Sequence, residues 1–121
     1  MDDADSTPAT DEVARARPVP VDSRERFDEV VAAESLVLVE FVTPGCGICA
    51  SMEPVLGVVA RAAPGTVAVV DASVVPELAR EFDVRKAPTF VLLRDGTEVE
   101  RLDEGFYEAT RLVEVLEVHA R

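Results

Sequence analysis

Leu36-Val37-Leu38-Val39-Glu40-Phe41-Val42-Thr43-Pro44-Gly45-Cys46-Gly47-Ile48-Cys49 is the stretch on which the reading of this chain turns. Residues 36–42 are apolar but for Glu40, as in a central strand covered on both faces. Thr43-Pro44-Gly45 breaks the run. From Cys46 to about Ala62 the pattern becomes helical, with Cys49, Met52, Leu56, Val59 and Ala60 recurring every three or four residues. The two cysteines therefore fall at a strand-to-helix junction. A free thiol has a pKa near ~8.5 and is a poor nucleophile at neutral pH. Unpaired N–H groups and partial positive charge at a helix amino terminus favour the thiolate. The second cysteine follows one turn later on the same face, placed to attack a mixed disulfide made by the first.

Toward the amino terminus, residues 1–17 are acidic, rich in Ala, Ser, Thr and Pro, and lack apolar periodicity, so a disordered tail is expected there. Pro18-Val19-Pro20-Val21 suits an extended edge segment, where proline is tolerated. Asp22 or Ser23 can cap a helix through Phe27, Val30 and Val31 to about Ala33. On the other side, Pro64-Gly65 ends the long helix, within which Pro54 should cause a kink. Thr66–Asp71 reads as a second buried strand, and Val75–Phe82 as a short helix with Pro76 in its first turn. Thr89–Arg94 is a third strand. Asp95-Gly96 is a tight-turn signal, and Thr97–Leu102 alternates as a returning strand should. Tyr107 to about Ala120 completes the chain as an amphipathic helix, with Leu112, Val113 and Leu116 inward and Val115 beside them. The order predicts an α/β fold, a mixed sheet of four to five strands with helices on both faces.

The 121 residues suit one domain, placed at 18–121, with a core built mainly from aliphatic side chains because there are only five Phe, one Tyr and no Trp. A formal net charge of −12 argues against nucleic acid or an anionic membrane as partner. No signal-peptide pattern and no span of ~20 apolar residues is present, so a cytoplasmic protein that does not enter the membrane is expected. Two cysteines are too few for a disulfide scaffold.

Taken alone, the CxxC has three readings: a redox pair, half of a zinc site, or a crosslink. Zinc normally takes four ligands, and His119 is the only histidine. A crosslink across so small a loop adds little stability. Glu40 stands out within its strand. If buried and unpaired it should have a raised pKa and could exchange a proton with Cys49; otherwise it reaches solvent or a polar partner. Arg85 and Lys86 read most simply as a solvated pair, and His119 as a last-turn residue suited to the helix dipole.

These residues together resemble the thioredoxin family over roughly Pro18 to Arg121. Pro54 lies eight residues after Cys46, where the family's active-site helix carries a proline. Lys86-Ala87-Pro88-Thr89 matches the segment whose proline is cis in the family, and Asp95-Gly96 falls at its hairpin turn. Gly45-Cys46-Gly47-Ile48-Cys49 departs from the usual Trp-Cys-Gly-Pro-Cys. Glu40 stands where the family has a buried aspartate, and Val69 where it has that aspartate's lysine partner.

The resemblance implies a thioredoxin fold and a thiol–disulfide oxidoreductase working through a Cys46/Cys49 dithiol–disulfide pair. Cys46 would be the attacking thiolate, Cys49 the resolving thiol, and Glu40 the proton relay. Gly45, Gly47, Ile48, Ala87 and Pro88, with the region of Gly105-Phe106, would line the substrate groove. It implies no bound cofactor or metal. Its partners would be disulfide-containing protein substrates and a recycling reductase or thiol pool, met by a monomer. The competing expectation is a binding or accessory protein of the same fold whose CxxC does not turn over or serves one dedicated partner.

Overall fold

The computed structural model describes residues 17–121. The tail expected over 1–17 therefore lies, apart from Arg17, outside the described residues. Five strands form one sheet: β1 (Val19–Val21), β2 (Leu36–Val42), β3 (Thr66–Asp71), β4 (Thr89–Arg94) and β5 (Thr97–Leu102). Four helices accompany them among the described residues: α1 (Arg24–Ala33), α2 (Gly47–Ala62), α3 (Pro76–Glu81) and α4 (Ala109–Ala120).

The sheet runs β1-β3-β2-β4-β5, with β1 and β2 both parallel to β3, and β4 antiparallel to β2 and β5. The short, proline-containing β1 is at an edge, as the sequence predicts, and β2 is central. The β4–β5 hairpin turns on Asp95 and Gly96, whose φ values of 51° and 83° are both positive. That two-residue, positive-φ turn matches the right-handed twist of the flanking strands. Gly65 is required for a different reason: with φ at +92°, a Cβ there would come within 2.6 Å of the Leu36 carbonyl oxygen.

Alternation along the strands divides the core into two layers. On one face Leu36, Leu38, Phe90 and Leu92 pack against Met52, Leu56 and Val59 of α2 and Leu112, Val115 and Leu116 of α4. On the other, Val37, Val39, Phe41, Val91 and Leu93 pack against Phe27 and Val30 of α1 and Leu78 of α3. Phe82 joins this second layer, its ring 5.7 Å from that of Phe27 and 5.9 Å from that of Phe41.

The helices differ from expectation in detail. Ser23 caps α1, its Oγ accepting from the Arg26 N–H at 3.0 Å. Helix α2 continues through Pro54 as one element to Ala62. Helix α4 begins at Ala109, not Tyr107, because Tyr107 is engaged before the helix starts. Its ring meets Phe90 edge-on at 5.7 Å and its hydroxyl accepts from the Glu104 N–H at 2.8 Å. Leu112, Val115 and Leu116 are the buried residues of α4 while Val113 is only partly buried, so Val113 and Val115 exchange the order predicted. Among the described residues no helix is long and apolar enough to cross a membrane.

Candidate functional site

The carboxyl end of β2 and the amino end of α2 meet at Cys46. Cys46 is the residue before the helix, with φ −85° and ψ 106°, and Gly47 begins the helical turn. This extended conformation resolves a geometric difficulty. Two residues three apart inside a regular helix hold their Cβ atoms about 5–6 Å apart, too far for a disulfide. With Cys46 outside the helix the Cα atoms of Cys46 and Cys49 are 5.2 Å apart, and the two sulfurs are joined in a disulfide. Cys46 Sγ also accepts from the Cys49 N–H at 3.1 Å. The first-turn amide that would otherwise be unpaired is thus aimed at the outer sulfur, where it favours negative charge on that atom.

The two cysteines differ in access. Cys46 is half-buried, whereas Cys49 is 7% exposed and joins the packed face of α2. Any approaching disulfide meets Cys46 first. Gly45, with φ +77°, makes the left-handed turn that brings the chain from β2 into the helix. Ile48 projects outward at 45% exposure.

Beneath the pair lies Glu40, 2% exposed, with its Oε2 lacking any hydrogen-bond partner. Its strand register explains the isolation: Glu40 pairs with Val69 on β3 and with Phe90 on β4, so neither neighbour offers a polar side chain. The alternative that this carboxylate escapes to solvent is thereby overturned. Burial pushes its pKa up to about 7, and the charge of Glu53 adds to the rise.

Glu40, Cys46 and Cys49 line a common cavity of about 540 Å³, with Gly45 and Gly47 at its rim and Glu53, Leu56 and Val69 on its walls. Glu53 was missed in the sequence. Its position four residues after Cys49 was the available signal, since i and i+4 share a helix face.

The remaining sequence-predicted residues are elsewhere. Ala87 lines a second cavity of about 340 Å³, which shares Val42 and Thr43 with the first and also includes Arg85 and Lys86. The Ala87–Pro88 peptide bond is cis, and Pro88 is buried. The Thr89 hydroxyl donates to the Lys86 carbonyl at 2.7 Å, fixing the loop across that bond. Arg85 is held by Asp83 at 3.0 Å. His119 is more than a last-turn residue, since its Nε2 contacts Glu100 Oε1 at 2.9 Å, on β5 and away from the cysteines. Among the described residues no group of three or more His, Cys, Asp or Glu side chains is arranged to hold a metal ion.

The chemistry available here is reversible thiol–disulfide exchange at an exposed sulfur, with a buried resolving sulfur and a buried acid alongside. Comparison with known proteins agrees. The Thioredoxin family model matches residues 18–118. A thioredoxin of Chlamydia trachomatis is 35% identical over 102 residues, covering 84% of this chain and 98% of its own length. A bifunctional thioredoxin reductase/thioredoxin of Mycobacterium leprae is 35% identical over 99 residues, 80% of this chain and 22% of that protein. Among solved structures, a mutant thioredoxin from Halobacterium salinarum superposes with a TM-score of 0.84 at 30% identity, covering 89% of this chain and 95% of that one.

Proposed function

The chain belongs to the thioredoxin family and is a thiol–disulfide oxidoreductase, and on that premise we propose that Cys46 attacks substrate disulfides, Cys49 resolves the adduct and Glu40 moves the proton between them. The single observation that carries this assignment is the unequal access of the two joined sulfurs: Cys46 is half-buried at the helix tip and Cys49 is buried behind it.

In the reducing direction the cycle begins from the dithiol. Cys46 Sγ, as thiolate, attacks one sulfur of the substrate; the new S–S bond forms as the substrate disulfide breaks, and the departing thiolate takes a proton. Cys49 then gives its proton to the Glu40 carboxylate and attacks Cys46 Sγ. The intramolecular disulfide closes, and the second substrate thiolate leaves. The substrate gains two electrons and two protons, and the protein is left in the disulfide form. A Glu40 pKa of about 7 suits this transfer, because the group then accepts or releases a proton with little penalty near neutrality.

Disulfide-containing proteins are the substrates of this reading, held over Cys46 by Gly45, Gly47 and Ile48 on one side and the Ala87–Pro88 loop on the other. A dedicated reductase returns the dithiol, a role supported by the relative in which a reductase and a thioredoxin share one chain. A monomer working in the cytoplasm completes the reading. The test is turnover of a disulfide-bonded protein with a thioredoxin reductase and reduced nicotinamide cofactor. Wild type should cycle, Cys46→Ser should not, and Cys49→Ser should accumulate a covalent adduct. Wild-type failure to turn over, with a Cys46–Cys49 bond that dithiothreitol reduces normally, would favour the accessory-protein alternative.

A further inference from the structure

The cavity behind the disulfide contains a second carboxylate with no part in the cycle described above. Glu53 lies one turn beyond Cys49 on α2, exposed, while Glu40 is buried at the base of the same cavity. Inverse to what a buried acid ordinarily needs, no described residue lining this cavity is a Lys, Arg or His. The register position beside Glu40 on β3 is Val69, which offers neither charge nor hydrogen bond. The segment before β1 contributes Pro18, the end of β2 contributes Val42 and Thr43, and β3 contributes Val69, none of them titratable. Among the described residues, the titratable groups that share the cavity with Glu40 are therefore the two cysteines and Glu53.

We propose that Glu53 is a positioning residue for the proton of Glu40: the outer member of a carboxylate pair, whose charge disfavours charge on the buried inner one and so sets the pH range over which Cys49 is activated. Two observations independent of titration support it. Glu40 Oε2 is buried without a partner and lines a cavity at which Glu53 is the other carboxylate. Among the described residues, none that lines the cavity is a cation that would hold Glu40 ionised. A negative charge at Glu53 disfavours a second one at Glu40.

This inference rests on the reading of Glu40 as the proton relay, and the experiment separates the two. Glu53→Gln, Glu53→Lys and Glu53→Asp are compared with wild type and Glu40→Gln. The measurements are the carboxyl carbon-13 titration of Glu40 in the reduced protein and the pH profile of Cys46 alkylation. Glu53 is exposed, so these variants should fold; unchanged melting temperatures check that. Glu53→Gln should move the Glu40 midpoint to lower pH by roughly 0.5 unit and Glu53→Lys by about twice that, with Glu53→Asp close to wild type. In a Glu40→Gln background the effect of Glu53→Gln on the alkylation profile should fall by more than about half. A Glu40 midpoint that stays put in Glu53→Gln overturns the proposal, as does an equal effect in both backgrounds, which would mean that Glu53 acts on the thiols directly. If Glu40→Gln shifts the alkylation profile and Glu53→Gln does not, Glu40 keeps its role and Glu53 loses it. If neither shifts it, both readings fail.

Discussion

On the α1/α3 face of the sheet, β2 contributes Val37, Val39 and Phe41; on the α2/α4 face the same strand contributes Leu36, Leu38 and Glu40. The first series is apolar to its end, where Phe41 at 1% exposure meets the Phe82 ring. The second keeps that character for two positions and then places an unpartnered carboxylate beneath the disulfide. The difference shows how a seven-residue strand divides its labour. One face supplies cohesion through burial of apolar area. The other gives up part of that cohesion to bury an acid in the cavity that the two cysteines line.

The sharpest way to break the comparison is at the sulfur itself. Cys46→Ser should lower substrate turnover by more than about 10³-fold while leaving the fold intact, because the nucleophile is lost and the core is not touched. Phe41→Ala, on the cohesive face, should do the opposite. It should cost about 3–5 kcal/mol in denaturant unfolding, with thiol alkylation kinetics of the folded protein unchanged.

Glu40→Leu should then stabilise the protein by about 2–3 kcal/mol at pH 8 while slowing resolution by Cys49. The sign follows from linkage. Glu40's pKa is raised by folding, from 4.5 to about 7. Below pH 4.5 both states hold the proton and Glu40 costs least. Between pH 4.5 and about 7 the unfolded chain releases it while the folded one does not, so stability falls with rising pH, by about 3 kcal/mol in all. Glu40→Leu and Glu40→Gln should both flatten that slope, measured as unfolding free energy at pH 4 and pH 8. The smallest effect is expected far from either face's centre: Ser23→Ala removes the α1 cap and should cost about 1 kcal/mol with no change in redox behaviour.

Much of this division was legible in the residues. The apolar run of β2, the break at Thr43-Pro44-Gly45 and the helical spacing after Cys46 located the strand, the junction and the buried face of α2, because each depends on local pattern. Glu40 stood out for the same reason, as the single charge in that run. What was not legible depends on which helix face meets which strand. The inward stripe of α4 was legible in Leu112 and Leu116, but the order of Val113 and Val115 was not, since the apolar residues there are wide enough to fit two rotations. The start of that helix was misread at Tyr107 because its engagement with Phe90 and the Glu104 amide is a tertiary matter. Nothing in the local pattern singles out Glu53, and the cavity it shares with Glu40 distinguishes it from the other acids on the surface.

The account's central claim is that the exposed sulfur attacks and the buried one resolves. It is tested most directly by incubating the reduced Cys49→Ser variant with a disulfide-bonded protein and locating any covalent adduct by mass spectrometry. The account predicts a stable mixed disulfide through Cys46, absent when Cys46→Ser is used instead. A Cys49→Ser protein whose Cys46 alkylates readily yet forms no adduct, or a Cys46→Ser protein that captures substrate through Cys49, would contradict it.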